Sequence, residues 1–384
     1  MSSGRNRRKW IYVLLLMGLL GLSGCGSPSS ASVEMSSQTE LVKTGSMELQ
    51  YAENFAVDYY EDGYKMLTTL PDSKRYLIVP EGQPVPRGLD EDVSILQEPL
   101  QNIYLVASGV MDMFASVDAV DQIRFSGQKQ ENWYIQTAKD AMAAGDMIYA
   151  GKYSKPDYEL LVSEGCDLAI ENRMITHSPE VVEMLQSFGI PVMIEYSSYE
   201  QHPLGKVEWV KFFGALTGKE AEAEEAFAEQ TEILEKVERG EKTGKTIAFF
   251  YVTSNGLIQV RQSTDYIPKL IELAGGRYIF EDLEDSGSGR STLNMQVEDF
   301  YAGAKDADIL IYNSSIDGGV TTLDELIGKC NILKDFKALQ EGQVYCTTND
   351  MYQQSMAIGY LLQDMHTVLT DDDTAKLRYL FLLQ

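Results

Sequence analysis

In two separate regions of this chain, short apolar segments that favour β-strands alternate with segments of helical periodicity. Strands of this kind occupy residues 103–107, 123–126, 167–170, 191–196, 247–252, 308–312 and 343–346. Helical periods separate them, including residues 111–117, 179–188, 266–274 and 297–304. Strands and helices that alternate at these lengths pair in parallel and cover both faces of a sheet with helices. The pattern therefore predicts an α/β protein with two Rossmann-like lobes.

One long helical stretch, residues 204–240, separates the two runs. Ala, Glu and Lys dominate its second half, and Gly218 is the point where it can bend. Its charge run is typical of a solvated helix face. We predict a single long helix that joins an N-terminal lobe, residues 47–203, to a C-terminal lobe, residues 241–384. Ligands bind outside the carboxyl ends of such strands, so we expect a ligand cleft between the lobes.

A β-hairpin is predicted at the start of the N-terminal lobe. Two runs of alternating polarity flank Asp62-Gly63, a dipeptide that favours the tight turn of a hairpin. A third short run, residues 76–79, ends at Pro80 and is expected to join the same sheet.

The amino terminus has the order of a secretory signal peptide. Four basic residues within residues 1–9 precede an apolar run over residues 10–22, which is short for a membrane span of about 20 residues. The run ends in Leu22-Ser23-Gly24-Cys25, which resembles the lipobox of bacterial lipoproteins. The resemblance implies a signal peptide over residues 1–24 and a lipid on Cys25 that holds the chain outside the membrane. A plain signal peptide, or an uncleaved anchor with an incidental Cys, is the alternative.

The segment that follows is polar and strongly biased in composition. Residues 26–45 are rich in Ser and lack aromatic residues, so residues 25–46 are predicted to be a lipidated Cys and a flexible tether. The whole chain has a formal net charge of −26, which disfavours nucleic acid and anionic lipid surfaces as partners. Three further Cys without a C-x-x-C spacing indicate no disulfide framework, although a bridge between Cys330 and Cys346 stays open.

Several segments together resemble one protein family. They are Tyr158-Glu-Leu-Leu-Val-Ser-Glu-Gly-Cys-Asp-Leu-Ala-Ile170, His202-Pro-Leu-Gly-Lys-Val-Glu-Trp-Val, Leu273-Ala-Gly-Gly-Arg277 and Ala307-Asp-Ile-Leu-Ile. In this order they resemble the extracytoplasmic solute-binding lipoproteins of ABC importers for iron complexes, haem and cobalamin, over roughly residues 75–384. The resemblance implies a binding protein that works with permease subunits and has no cofactor of its own. Its ligand would be a metal-containing organic complex: a ferric siderophore first, then haem or cobalamin.

The resemblance also implies two docking residues. In that family an exposed Glu on each lobe docks into a basic pocket of the permease, and the matching positions are Glu159 and Glu298. Each lies in the first turn of a predicted helix, where the helix dipole favours a carboxylate. Ordinary helix-start acids would satisfy the same pattern.

Candidate ligand-binding residues lie in the loops that follow predicted strands. A rigid metal complex needs an aromatic-lined cleft with few polar anchors, and Arg can bind ligand carboxylates through paired hydrogen bonds. Each Arg has a competing interpretation as a surface ion pair, and each Tyr as a packing residue. The candidates are Trp133, Tyr134, Arg173, Tyr196, Arg261, Arg290, Asn313 and Tyr352.

Other classes of protein fit the sequence less well. Only three His are present, which disfavours a carrier of bare Zn²⁺ or Mn²⁺ and favours an organic complex that already holds its metal. The sequence contains no Gly-x-Ser-x-Gly or His-Glu-x-x-His motif. A surface-anchored α/β enzyme such as a hydrolase or chelatase is the alternative, and it requires a nucleophile within reach of a base.

Overall fold

The structure is a computed structural model that describes residues 41–283, 291–314, 319–371 and 374–384. The predicted signal peptide, Cys25, most of the predicted tether and Arg290 lie outside the described residues. Within those ranges, no helix combines the length and the apolar character that a membrane crossing requires.

A five-stranded sheet opens the described chain. Its strands follow one another in sequence order: β1 (Lys43–Ser46), β2 (Phe55–Tyr60), β3 (Lys65–Thr69), β4 (Lys74–Val79) and β5 (Val93–Gln97). The predicted hairpin is confirmed as β2 and β3, and β4 joins it as expected. Asp62 and Gly63 both have positive φ angles in the turn, as a tight hairpin requires. The predicted tether extended to residue 46, whereas β1 pairs antiparallel with β2 and is therefore part of the fold.

The N-terminal lobe contains a second, parallel sheet. Its strands are ordered β12-β11-β6-β7-β8. Strands β7 and β8 extend the sheet on one side of β6, and β11 and β12 extend it on the other side, so the strand order switches between β6 and β11. Ligands of open α/β sheets bind at this switch point. The elements of this lobe are β6 (Ile103–Leu105), α1 (Val110–Ser116), β7 (Ile123–Ser126), α2 (Gln136–Ala144), β8 (Ile148–Tyr149), a small pair β9 (Gly151–Lys152) and β10 (Lys155–Pro156), α3 (Tyr158–Ser163), β11 (Leu168–Asn172), α4 (Pro179–Ser187) and β12 (Val192–Glu195).

Two helices, rather than the predicted single long helix, follow this lobe: α5 (Pro203–Thr217) and α6 (Glu220–Glu238). Gly218 ends α5 with a φ angle of +71°, a left-handed conformation that stops a right-handed helix. The chain then folds back, because Lys211 on α5 contacts Glu224 on α6 and Gly214 lies against Ala223. The glycine that the sequence marked as a bend is therefore the turn of a helical hairpin.

The C-terminal lobe has a seven-stranded mixed sheet. Parallel strands β13, β15, β17 and β18 form its centre, and β14, β16 and β19 pair antiparallel. The elements are β13 (Thr246–Val252), β14 (Ile258–Arg261), α7 (Tyr266–Leu273), β15 (Arg277–Tyr278), β16 (Thr292–Met295), α8 (Val297–Ala304), β17 (Ile309–Tyr312), α9 (Leu323–Lys329), α10 (Lys337–Gln340), β18 (Val344–Thr347), α11 (Ile358–Thr370) and β19 (Leu380–Leu382). The predicted α/β fold with two lobes is confirmed. Among the described residues, Cys166, Cys330 and Cys346 form no disulfide, so the bridge between Cys330 and Cys346 that the sequence left open is not made.

Helix α5 lies at the centre of the packing. All its residues except Thr217 are buried, and it contacts α1 of the first lobe as well as α7 and α11 of the second. Two buried carboxylates near it hold the segment that leads into β2. Glu208 accepts hydrogen bonds from the backbone N–H groups of residues 50–52 at 2.8–3.1 Å. Glu200 accepts from the N–H groups of Glu53 and Asn54 at 2.9 and 3.0 Å, and from Nε1 of Trp209 at 2.8 Å.

Replacing Glu208 by Ala is expected to destabilise the protein substantially. The change leaves three backbone N–H groups without their acceptor, that of Ala52 buried and those of Gln50 and Tyr51 partly buried, and an unsatisfied buried donor costs about 1–3 kcal/mol. We expect a loss of about 2 kcal/mol or more in the free energy of unfolding, measured by chemical denaturation. Glu225→Ala, at an exposed position on α6, is the matched control and is expected to change little. Equal stability of the two variants would contradict the anchoring role of Glu208.

Candidate ligand-binding cleft

A cavity of about 320 Å³ lies between the two lobes. The loops after β6 and β11 line it from the first lobe, at the switch point of the parallel sheet. The start of α7 and the loop after β18 line it from the second lobe, and Lys206 on α5 also faces the cavity. The cavity therefore occupies the position that the strand order predicts for a ligand.

Three of the predicted ligand-binding residues line this cleft: Arg173, Arg261 and Tyr352. Arg173 follows β11, and its guanidinium lies 4.4 Å from the centre of the Tyr199 ring. Arg261 ends β14 and is 3.4 Å from a carboxylate oxygen of Asp265. The cleft therefore contains predicted residues from both lobes, Arg173 from the first and Arg261 and Tyr352 from the second.

The other predicted residues lie elsewhere. Trp133 is buried in the main hydrophobic core, where its Nε1 donates to Oγ of Ser126 at 3.1 Å. Tyr196 is buried, and burial raises the pKa of its phenol to about 12. Asn313 is also buried, and none of these three residues lines the described part of the cleft. Arg290 lies outside the described residues.

Tyr134 belongs to a contact between the lobes beside the cleft. The side chain of Gln353, from the loop after β18, is fully buried against the N-terminal lobe. Its carbonyl accepts from the N–H of Tyr134 at 2.8 Å, and its amide donates to the carbonyl of Asn132 at 2.8 Å. The rings of Tyr134 and Tyr352 meet edge to face. Helix α11 begins only at Ile358, after the segment that makes these contacts.

Several charged residues near the cleft were missed by the sequence analysis. Lys206 is only 7% exposed, and its ammonium lies 4.8 Å from the centre of the Tyr266 ring. Glu195 and Asp265 also line the cleft. A usable signal was present: apart from Lys206, Glu208 and Lys211, residues 203–216 of α5 are apolar, and a helix with apolar residues around its whole circumference is buried. A Lys within such a helix must therefore have a specific environment.

Asp112 on α1 has a strongly perturbed carboxyl group. It accepts a hydrogen bond at 2.7 Å from the N–H of Met356, which joins the two lobes a second time. Burial raises its pKa to about 6, although that hydrogen bond and the charge of Lys206 act in the opposite direction. Burial likewise raises the pKa values of Glu195 and Asp265.

Glu171 is the most isolated acid of this lobe. Its side chain is 0% exposed, and neither carboxyl oxygen has a hydrogen-bond partner among the described residues. Burial raises its pKa to about 8, so the group is largely protonated at neutral pH. It lies one residue before the cleft-lining Asn172, but it is not itself part of the cleft wall.

The described residues include no cluster of three or more His, Cys, Asp or Glu side chains placed to hold a metal ion. The two predicted docking residues are exposed. Glu159 lies in the first turn of α3, and Glu298 lies in the first turn of α8, one on each lobe.

The fold is shared with known solute-binding proteins. An ABC-type Fe³⁺-hydroxamate transport system protein from Saccharomonospora viridis matches with a TM-score of 0.55 and 16% identity, over 70% of this chain and 93% of that one. The periplasmic haem-binding protein HutB of Vibrio cholerae matches with a TM-score of 0.55 and 15% identity, over 70% and 98% of the two chains. The chain therefore has the two-lobed fold of the TroA-like periplasmic binding proteins, as the sequence resemblance implied.

Sequence comparison adds a relative of nearly equal length. The protein named Uncharacterized lipoprotein MJ0878, from Methanocaldococcus jannaschii, is 24% identical over 394 residues, covering 94% of this chain and 92% of the relative. No family model matches the chain.

The raised pKa of Asp112 predicts a pH-dependent stability. Its pKa is about 6 in the folded protein against an ordinary value of 3.8. Between these values the folded state holds a proton that the unfolded chain releases, so stability falls as the pH rises from about 4 to about 6. Asp112→Asn removes this dependence. We expect the variant to exceed the parent by on the order of 2 kcal/mol above pH 6 and to match it near pH 4.

Chemical denaturation at pH 4 and pH 7.5 measures this difference. Asp121→Asn, at an exposed position nearby, is the control and should leave the difference between the two pH values unchanged. An Asp112→Asn variant that keeps the parent's full pH dependence would refute the assignment.

Proposed function

We propose that this chain is the lipid-anchored solute-binding receptor of an ABC importer. It captures an iron complex, either a ferric siderophore or haem, or cobalamin, and delivers it to permease subunits. The observation that carries this proposal is the cleft between two α/β lobes, lined by cationic and aromatic side chains from both of them. A cleft of this kind can bind a solute and release it chemically unchanged.

The similar proteins support this assignment. The named structural neighbours are a Fe³⁺-hydroxamate transport protein and a periplasmic haem-binding protein, and the sequence relative is a lipoprotein. A lipoprotein relative agrees with the lipobox around Cys25 and with an extracytoplasmic location at the membrane. The ligand is proposed to carry its own metal, and the protein needs no cofactor.

A surface enzyme such as a hydrolase or chelatase is the competing function. Hydrolysis by a serine nucleophile requires a base within hydrogen-bond reach. Serines such as Ser108 and Ser198 line the cleft, but among the described residues neither hydroxyl is hydrogen-bonded to a side chain that could act as its base. The cleft therefore favours binding over catalysis.

Ligand capture is tested on the purified chain with ferric hydroxamate and ferric catecholate siderophores, haem and cyanocobalamin. We expect at least one of them to bind, measured by native mass spectrometry and by calorimetry. Because Arg173 faces the cleft, Arg173→Ala should weaken that binding about tenfold or more. Arg124→Ala, at a partly exposed ion pair outside the cleft, is the control. Binding of none of these complexes would exclude the proposed ligand class.

Docking to the permease is tested by Glu159→Ala combined with Glu298→Ala. An exposed carboxylate on each lobe can enter a basic pocket of a partner, and its loss removes that contact. We expect uptake by cells to fall to background, while the purified variant binds its solute as the parent does. The control combines Glu180→Ala with Glu341→Ala, two exposed acids on the same lobes. Normal uptake by the Glu159/Glu298 variant, or loss of solute binding, would refute the docking role.

A further inference from the structure

The charge of the cleft is opposite to that of the protein. The chain has a net charge of −26, yet the described cleft wall carries three cations, Arg173, Lys206 and Arg261, against two acids, Glu195 and Asp265. An excess of cations in a cleft attracts negative charge to it, even in an acidic protein.

The two acids of the cleft wall are already engaged. Glu195 accepts hydrogen bonds from the N–H of Ser197 at 2.9 Å and from its hydroxyl at 2.5 Å. Asp265 accepts from the N–H of Ile267 at 2.9 Å, and its other oxygen faces Arg261. Both oxygens of Asp265 and one oxygen of Glu195, Oε2, are therefore engaged within the protein.

Two of the cations are held differently. Arg173 lies over the ring of Tyr199, and Lys206 lies over the ring of Tyr266, and no described carboxylate is within 4 Å of either charge. An aromatic face stabilises a cation without accepting its N–H hydrogen bonds, whereas a carboxylate accepts them. Both groups can therefore donate hydrogen bonds into the cleft.

A second buried lysine on the same helix provides the contrast. Lys211 is also almost fully buried on α5, but its ammonium is 3.0 Å from Glu224 and 3.6 Å from Glu208. Burying an ammonium without a counter-charge is unfavourable. The charge of Lys206 acts to lower the pKa values of Asp112, Glu195 and Asp265, but none of the described carboxylates forms a salt bridge with it. A ligand can therefore supply the close counter-charge that Lys206 lacks among the described residues.

We propose that the solute carries anionic oxygens, of the carboxylate kind, which bind between Lys206 and Arg173. This inference rests on the proposed function, because it assigns the chemistry of the solute that the cleft receives. A compact solute fits the cavity, because its volume of about 320 Å³ is near the lower end of the range of about 300–1,000 Å³ for small-molecule sites. A small carboxylate chelate of a metal ion fits both properties. A large complex without carboxylates, such as cyanocobalamin, fits neither.

The experiment measures calorimetric affinities of the purified chain for four probes: ferric citrate, metal-free citrate, ferrioxamine and cyanocobalamin. We expect ferric citrate to bind more tightly than the two probes without carboxylates. Lys206→Gln and Arg173→Gln should each weaken its binding about 10- to 100-fold, because each removes a charged hydrogen bond. Lys206→Arg should restore most of the affinity. Lys211→Gln is the control for the loss of a buried lysine, and it should not change affinity once its folding is verified by circular dichroism.

Each outcome decides the inference. Equal binding of ferric and metal-free citrate supports the anion site and identifies the carboxylate itself as the recognised group. Unchanged ferric citrate affinity in both Lys206→Gln and Arg173→Gln would overturn the inference, as would preferred binding of cyanocobalamin or ferrioxamine, and in those cases the proposed receptor function would stand. Binding of no probe, together with failure of siderophores and haem, would overturn both. If Lys206→Gln does not fold, Arg173→Gln decides alone, since Arg173 is exposed and outside the core.

Discussion

The burial of α5 is the constraint on which the rest of the structure depends. The helix contacts both lobes and the N-terminal sheet, so its charged residues must find partners inside the protein. Glu208 does so by accepting three backbone N–H groups from residues 50–52, and it lies near Lys211, which also binds Glu224 on α6. One helix therefore holds the first sheet, the helical hairpin and the floor of the cleft in a single packed unit.

The same helix connects packing to binding. Lys206 lies two residues before Glu208 on α5 and faces the cleft rather than a carboxylate. Beside the cleft, the lobes are joined by the side chain of Gln353 and by the contact of Asp112 with Met356. A solute bound by groups from both lobes would add to these contacts. Solute binding would then stabilise the arrangement of the two lobes that these contacts already hold.

Much of the fold followed from local pattern. Strands β6, β11, β13, β17 and β18 are buried apolar runs, and burial on both faces of a parallel sheet selects such runs. Strands β14, β16 and β19 were not predicted, because short strands of a mixed sheet are stabilised by the neighbours with which they pair. Gly218 was recognised as a bend, but a glycine alone does not determine whether a helix continues. The packing of α6 against α5 favours the turn.

The sequence by itself determined the two α/β lobes, the hairpin and the positions of Arg173 and Tyr352 in loops after strands, because these depend on residues that are close along the chain. Arg261 was predicted in a loop, whereas it is the last residue of β14, a strand that the sequence did not predict. Tertiary structure alone decided that Trp133 and Tyr196 are core residues and that Lys206 is a cleft residue. The physical reason is that a side chain's partner sets its role, and these partners come from distant segments. A buried ammonium has the same local sequence whether a carboxylate or an open cleft lies opposite, and only the packing of the lobes distinguishes the two.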